Sequence, residues 1–274
     1  MKLIKSQVVF NPDEHTYMLG DKELSGITSV IGRQLFPDKY RDVPEDVLRK
    51  AAERGTMIHS ICELVDDIGI THDSDEAQGY KELKDDWGLR YECSEYLVSD
   101  NEHYASCIDK VYRENDTDFT LGDIKTTYVL DKESVRWQLS IYAYLFELQN
   151  PGCNAVRLIG IWLRGKNHEI VEVERIPSEI VINLLKCDSE GRQFVNPYSI
   201  SPVTLPDEYR KMERTIQEIV SQAKYWSDKK KEITDGVMMA MVEAGEYSWK
   251  GDIISFTPVS YTHLRAHETL ANLV

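Results

Sequence analysis

The stretch Leu121-Gly122-Asp123-Ile124-Lys125-Thr126-Thr127 delivers an acid and a lysine two residues apart at the end of a short apolar run, then stops at two threonines. Read as a strand, it projects Asp123 and Lys125 together, while Leu121 and Ile124 serve the interior. Upstream, Tyr104-Ala105-Ser106-Cys107-Ile108-Asp109-Lys110-Val111-Tyr112 is a second strand-like run, and residues 113–118 between the two are rich in turn formers. Together they predict a β-hairpin. With Arg113 opposite Phe119 across a five-residue loop, Asp109 falls opposite Asp123 on one face, their β-carbons roughly 5 Å apart. Two carboxylates that close repel, and one takes up a proton unless a divalent cation is held by both. A Mg²⁺ or Mn²⁺ site resolves the conflict.

The flanking segments supply further candidates. A helix starts at Pro44, with Glu45 and Asp46 suited to its positive end, and Val47, Leu48, Ala51, Ile58, Ile61, Cys62 and Val65 recur at helical spacing as a buried stripe. His59 and Glu63, four apart, are neighbours on another side, and Gly55 one turn before His59 leaves room for a backbone or ligand. A lone His on a helix is more often structural than a metal ligand, so this helix alone does not define a site. Residues 93–99 read as a strand on which Glu95 faces either the same site or solvent. Asp131 caps a helix running to about Leu148, its apolar residues covering more than one face. Gln138 and Tyr142 are neighbours on it, and a polar pair on an apolar helix needs partners, which nearby backbone can supply.

Further along, residues 155–163 form an apolar strand, 169–176 an alternating one, and 180–185 open a helix. At the other end, residues 4–24 read as a small hairpin without visible chemistry, and 27–31 as a short helix. This order predicts an α/β fold, a mixed sheet with helices against its faces. Residues 197–206 are a proline-punctuated linker, so the chain divides into 1–196 and a helix-rich appendage over 197–258 that closes with a hairpin at 247–256. In that appendage the helical period runs from Tyr209 to Trp226 and again over 237–243. From Val259 the segment Val259-Ser260-Tyr261-Thr262-His263-Leu264-Arg265-Ala266-His267-Glu268-Thr269 resembles a translated library adapter, so residues 259–274 are read as a non-native tail. His263 and His267 mimic a metal-binding helix there and are excluded.

With 274 residues and 42% apolar content the chain can build a sizeable core. No apolar run approaches the roughly 18 residues that span a bilayer, and Met1-Lys2-Leu3-Ile4-Lys5 lacks a signal-peptide stretch, so a cytoplasmic protein without membrane contact is expected. The five cysteines are scattered, with no Cys-x-x-Cys pair, which argues against a zinc site and a disulfide framework. The net charge of -15 weighs against a nucleic-acid partner at first sight. Yet residues 63–102 alone hold 13 acids against three Lys or Arg, which leaves only -5 for the rest of the chain. That run reads as an acidic connection with a solvated face.

Taken in order, Arg54-Gly55-Thr56-Met57-Ile58-His59 with Glu63, Ile108-Asp109, Gly122-Asp123-Ile124-Lys125-Thr126 and Gln138-Leu139-Ser140-Ile141-Tyr142 resemble the motifs of the PD-(D/E)xK nuclease superfamily, in its RecB-like and phage exonuclease branch. The resemblance covers about residues 25 to 176 and implies a restriction-endonuclease-like core. It implies that Asp109 and Asp123 ligate the metal, that His59 and the backbone carbonyl of Ile124 join them, and that Lys125 positions the attacking water or neutralises charge on the phosphate. Gln138 and Tyr142 would hold the substrate strand and brace the site, with Glu63 and Glu95 as accessory candidates. The implied activity is metal-dependent exonucleolytic hydrolysis of DNA in phage or bacterial recombination and repair. Its partners would be linear DNA ends and a single-strand annealing or other recombination protein. Where relatives place a glycine before the first metal-binding Asp, Ser106-Cys107 stands here, and the four cysteines that hold an iron–sulfur cluster in some relatives are lacking, so no cluster is expected. Rival readings are a structure-specific endonuclease of the same fold, a glycosidase using paired carboxylates, which leaves Lys125 without a role, and a non-catalytic acidic DNA mimic.

Overall fold

The amino-terminal residues fold as a three-stranded meander, β1 (Val9–Asn11), β2 (Thr16–Leu19) and β3 (Lys22–Gly26), with Gly20 at φ 60° making the turn before β3. The sequence reading predicts only a hairpin here. The third strand, Lys-Glu-Leu-Ser-Gly, has a single large apolar residue and carries no clear pattern of its own. It leads directly into α1 (Ile27–Leu35), which buries Ile27, Val30 and Ile31. The computed structural model describes residues 1–12, 14–41, 43–69, 73–199, 207–245, 248–250 and 255–256. By its internal contacts the chain forms two units, Met1–Pro197 and Tyr198–Val274.

Helix α2 (Glu45–Ile68) starts after Pro44 with Glu45 and Asp46 in its first turn. Its buried stripe is shorter than the sequence spacing predicts: Ile58, Ile61, Cys62 and Val65 are buried, but Val47 and Ala51 are exposed. Only its second half meets the apolar cluster that it shares with α3 (Asp75–Asp86). That helix occupies what reads as an acidic connection. Ser74 caps it by accepting the Ala77 N–H, and Ala77, Tyr80 and Leu83, three apart, are buried beneath an acidic exterior. Seven charged residues among its twelve mask a stripe this narrow.

Strands β4 (Tyr91–Ser99), β5 (Tyr104–Arg113) and β6 (Asp118–Lys125) follow, then α4 (Lys132–Gln149), β7 (Asn154–Arg164), β8 (Asn167–Glu172) and α5 (Ser178–Ser189). The sheet is mixed and runs β1-β2-β3-β5-β6-β7-β8, with β4 paired to β5 as well. Strands β5 and β6 are antiparallel with Arg113 opposite Phe119, whereas β6 and β7 are parallel, joined by α4 as a crossover. Helices cover both faces of β6. Leu121 packs into the larger core with α1, α4 and α5, while Ile124 packs into the cluster with α2 and α3. Both residues are interior, but on opposite faces, as a two-residue period demands.

In the second unit a single helix, α6 (Asp207–Glu243), spans both predicted helical segments. A short pair, β9 (Trp249–Lys250) and β10 (Ser255–Phe256), stands where the closing hairpin is expected. The tail 259–274, with His263 and His267, and most of the 197–206 linker lie outside the described residues. Among the described residues no helix is long and apolar enough to cross a membrane.

Candidate active site

Strand β5 has different neighbours along one edge. Its start pairs with β3 through Ser25–Tyr104 and Gly26–Ala105, and its end pairs with β6 from Lys110–Gly122 onward. Between them, residues 106–109 have no ladder partner on that edge. Asp109 sits at the end of this gap, where β5 and β6 part. Its Oδ2 accepts the Ile124 N–H at 2.7 Å, so a carboxylate completes what the ladder leaves open. Gly122 makes the close approach possible: a β-carbon there would lie 3.2 Å from Ile161 and Tyr112 atoms and 3.3 Å from Lys110.

Helix α2 brings His59 over this gap. Its Nε2 lies 3.2 Å from the Ile124 carbonyl oxygen, and its Nδ1 lies 3.7 Å from Asp109 and 3.9 Å from Glu95. Ligand atoms of His59, Glu95 and Asp109 fall within 4.8 Å of one another. Glu95 reaches the group from a left-handed backbone at φ 47°, rare for a non-glycine residue and costly inside a strand. Glu63 lines the same cleft from α2 but is not one of the three.

Asp123 is buried in the same cleft but is not one of that trio. Its Oδ1 accepts from Gln138 Nε2 at 2.7 Å, and its Oδ2 lies 2.7 Å from Lys125 Nζ without a hydrogen bond of good geometry. Gln138 ties the set together, accepting from Lys125 Nζ at 3.0 Å and donating to the Tyr142 hydroxyl at 2.6 Å. The Ser106 hydroxyl donates to Tyr142 at 3.3 Å, and the Cys107 thiol to Glu95 at 3.2 Å. The Ser106-Cys107 pair therefore links β5 to both sides of the site. In sequence Gln138 and Tyr142 could have been satisfied by backbone; in the structure they brace Asp123 and Lys125.

The electrostatics follow from burial among like charges. Burial pushes the Asp109 carboxyl up, His59 opposes and Asp123 adds to it, leaving it at about 6. Burial works against the His59 cation, but Asp109, Glu95 and Asp123 outweigh it and raise the imidazole to about 9. Burial likewise disfavours the Lys125 ammonium, and Asp123 with Asp109 more than offsets this, holding it above its ordinary value. The carboxylates are hard oxygen donors of the kind that suits Mg²⁺ or Mn²⁺, whereas the imidazole is a donor that transition ions take more readily. The spacing of His59, Glu95 and Asp109 and a buried Asp109 carboxyl forced towards protonation fit a cation that would relieve it.

These groups open onto a cleft of about 480 Å³. Its wall includes Phe10, His15 and Tyr17 from the amino-terminal meander, a region without visible chemistry in the sequence. Phe10 stacks on Tyr17 at 4.8 Å and meets His15 edge-on at 5.1 Å. Gly55 also lines the cleft, and a β-carbon there would meet only Thr126 at an ordinary 3.8 Å, so packing within the protein does not require a glycine. The five cysteines are free thiols.

No protein-family model matches the chain, and no curated protein matches it in sequence. A solved structure, that of SSO0001, is similar at a TM-score of 0.39 and 15% identity, over 69% of this chain and 89% of that one. A likeness that distant carries no weight for fold or function.

Proposed function

We propose that this chain is a divalent-metal-dependent deoxyribonuclease that hydrolyses phosphodiester bonds at DNA ends, an exonuclease of phage or bacterial recombination and repair working in the cytoplasm. The observation that carries the reading is the convergence, where β5 and β6 part, of Asp109, Asp123, the Ile124 carbonyl and His59 with one lysine held by Gln138. His59 through Nδ1, Glu95 and Asp109 would hold the metal, with Asp123 beside them and the Ile124 carbonyl against the other imidazole nitrogen. A cation bound there would supply Lewis acidity to the phosphodiester. Lys125, kept protonated by two carboxylates, acts on charge developing at the phosphate and orients a water by donation. It is therefore not a general base. Gln138 fixes the ammonium against Asp123, and Tyr142 fixes Gln138.

End-directed action fits the absence of an evident base-reading cluster in the sequence and the acidic balance of -15, which favours few strand contacts concentrated at the site. Incubation in Mg²⁺ with end-labelled linear DNA and its covalently closed form tests the proposal. Progressive loss of the linear form with the closed circle intact is expected. Cutting of the closed circle at fixed positions, without loss from linear ends, would favour an endonuclease, and binding of a DNA-binding protein without any hydrolysis would favour the mimic.

A further inference from the structure

Beside the cleft lies a second cavity of about 220 Å³. The two share Thr28, Lys125 and Gln138, so the lysine assigned above to the phosphate also borders this space. Elsewhere its wall is largely apolar and aromatic: Ile31 from α1, Val135 from α4, and the rings of Phe36 and Tyr40 from the segment after α1. Tyr40 is 54% exposed, an aromatic ring kept at the wall of a hollow rather than in the core.

Charge decides what such a cavity can take. Lys39 lies 5.4 Å from the Phe36 ring centre and 5.6 Å from that of Tyr40, but its ammonium pairs with Asp131 at 2.7 Å. Lys125 already meets Asp123. An inorganic anion would thus find both lysines opposed by a carboxylate. A flat heteroaromatic ring suits the space better, since the lining joins the rings of Phe36 and Tyr40 with the hydroxyl-bearing Thr28, Thr127 and Ser134.

We propose that this cavity receives the unpaired base of the nucleotide next to the scissile phosphate, so that the substrate is a single-stranded or frayed DNA end. The inference rests on the nuclease reading and names its substrate class. A base inside a duplex is paired and stacked, and must leave the stack to enter a side pocket. Stacking on aromatic side chains holds single strands without sequence preference and contributes affinity that does not depend on surface charge, which suits a chain of net charge -15.

The test uses the full chain and single-stranded oligonucleotides, each end modified in turn. In EDTA, a terminal 2-aminopurine should lose fluorescence on binding the wild type and keep it with Tyr40→Ala; Phe36→Leu, which retains apolar bulk but no ring, should fall between. In Mg²⁺, replacing the terminal base by an abasic residue should raise KM roughly tenfold with little change in kcat, and Tyr40→Ala should abolish that difference. Equal KM for intact and abasic ends, or no quenching in the wild type, would overturn the pocket assignment while leaving the nuclease reading intact. Quenching that depends on Tyr40 with no hydrolysis of any oligonucleotide would support the pocket and defeat the nuclease reading.

Discussion

The carboxylate of Asp109 accepts the backbone N–H of Ile124 at 2.7 Å, immediately beyond the last backbone pair of the β5–β6 ladder, Lys110 with Gly122. One side chain thereby fixes where the strands diverge and places the Ile124 carbonyl near His59. The same carboxylate is shared between architecture and the metal site proposed above. Its two roles can be separated by keeping its oxygen and removing its charge.

Asp109→Asn with Asp123→Asn should therefore fold, because an amide oxygen can still accept the Ile124 N–H, but should lose most of its affinity for Mn²⁺. Neutral amide oxygens are poor ligands for a hard cation. Titration calorimetry reads the loss, expected to be at least about tenfold for two charges removed. Undiminished affinity would move the metal elsewhere.

Lys125→Ala and Asp123→Ala should each cut hydrolysis by roughly 100- to 1000-fold, the scale for losing one preorganised electrostatic partner of the reacting group. Unchanged circular dichroism would show that the fold survives. Activity within tenfold of wild type in either variant contradicts the roles assigned to them.

The pH response follows from two raised pKa values. Asp109 binds its proton more tightly when folded, so stability falls as pH rises from the ordinary carboxylate range to about 6. His59 adds stability fully below its ordinary value near 6.5, and this is lost as pH climbs through about 9. Without added metal, the melting temperature should decline between pH 6.5 and 9, more shallowly in His59→Gln. Because ligation displaces these protons, Mn²⁺ affinity should rise over the same range. A slope identical in wild type and variant would show that His59 is not charged in the folded protein.

The β5–β6 hairpin was legible because turn formers at 113–118 separate two runs that each need one buried face, and that spacing sets Arg113 against Phe119. Glu95 was only half legible, since its orientation depends on a left-handed backbone that no pattern of residue types announces. The role of the amino-terminal hairpin in lining the cleft was hidden for a different reason: Phe10 and Tyr17 look like ordinary strand aromatics until the fold carries them to the site. Hardest to read was Asp66. In sequence it belongs to a 40-residue acidic run that reads as solvated, yet its side chain is fully buried.

Gly122→Ala tests whether the strands can approach less closely. The added methyl would press on Ile161, Tyr112 and Lys110 together, and two of the three side chains sit in the buried α2–α3 cluster with little room to move. A loss of about 1–3 kcal/mol in urea unfolding is expected, the usual cost of overpacking. A change below about 0.5 kcal/mol would mean that the sheet relaxes freely there.

Asp66 offers the sharpest test of what holds the α2 side of the site in place. Its carboxylate accepts from Lys110 Nζ at 2.7 Å and from the Tyr80 hydroxyl at 2.6 Å, and pairs with Lys84. Lys110, almost wholly buried on β5, also donates to the Ser94 hydroxyl at 2.7 Å, so one acid on α2 meets α3 and, through Lys110, β5 and β4. Asp66→Ala strands a buried ammonium and should cost about 3–5 kcal/mol of stability. Replacing both partners, as Asp66→Leu with Lys110→Met, removes the stranded charge and should recover most of that loss, since a packed apolar pair can match a buried ion pair. Urea denaturation of the three proteins decides the matter: a single variant that loses less than about 1 kcal/mol would show that water reaches Lys110, and that this network does not anchor α2 to the sheet.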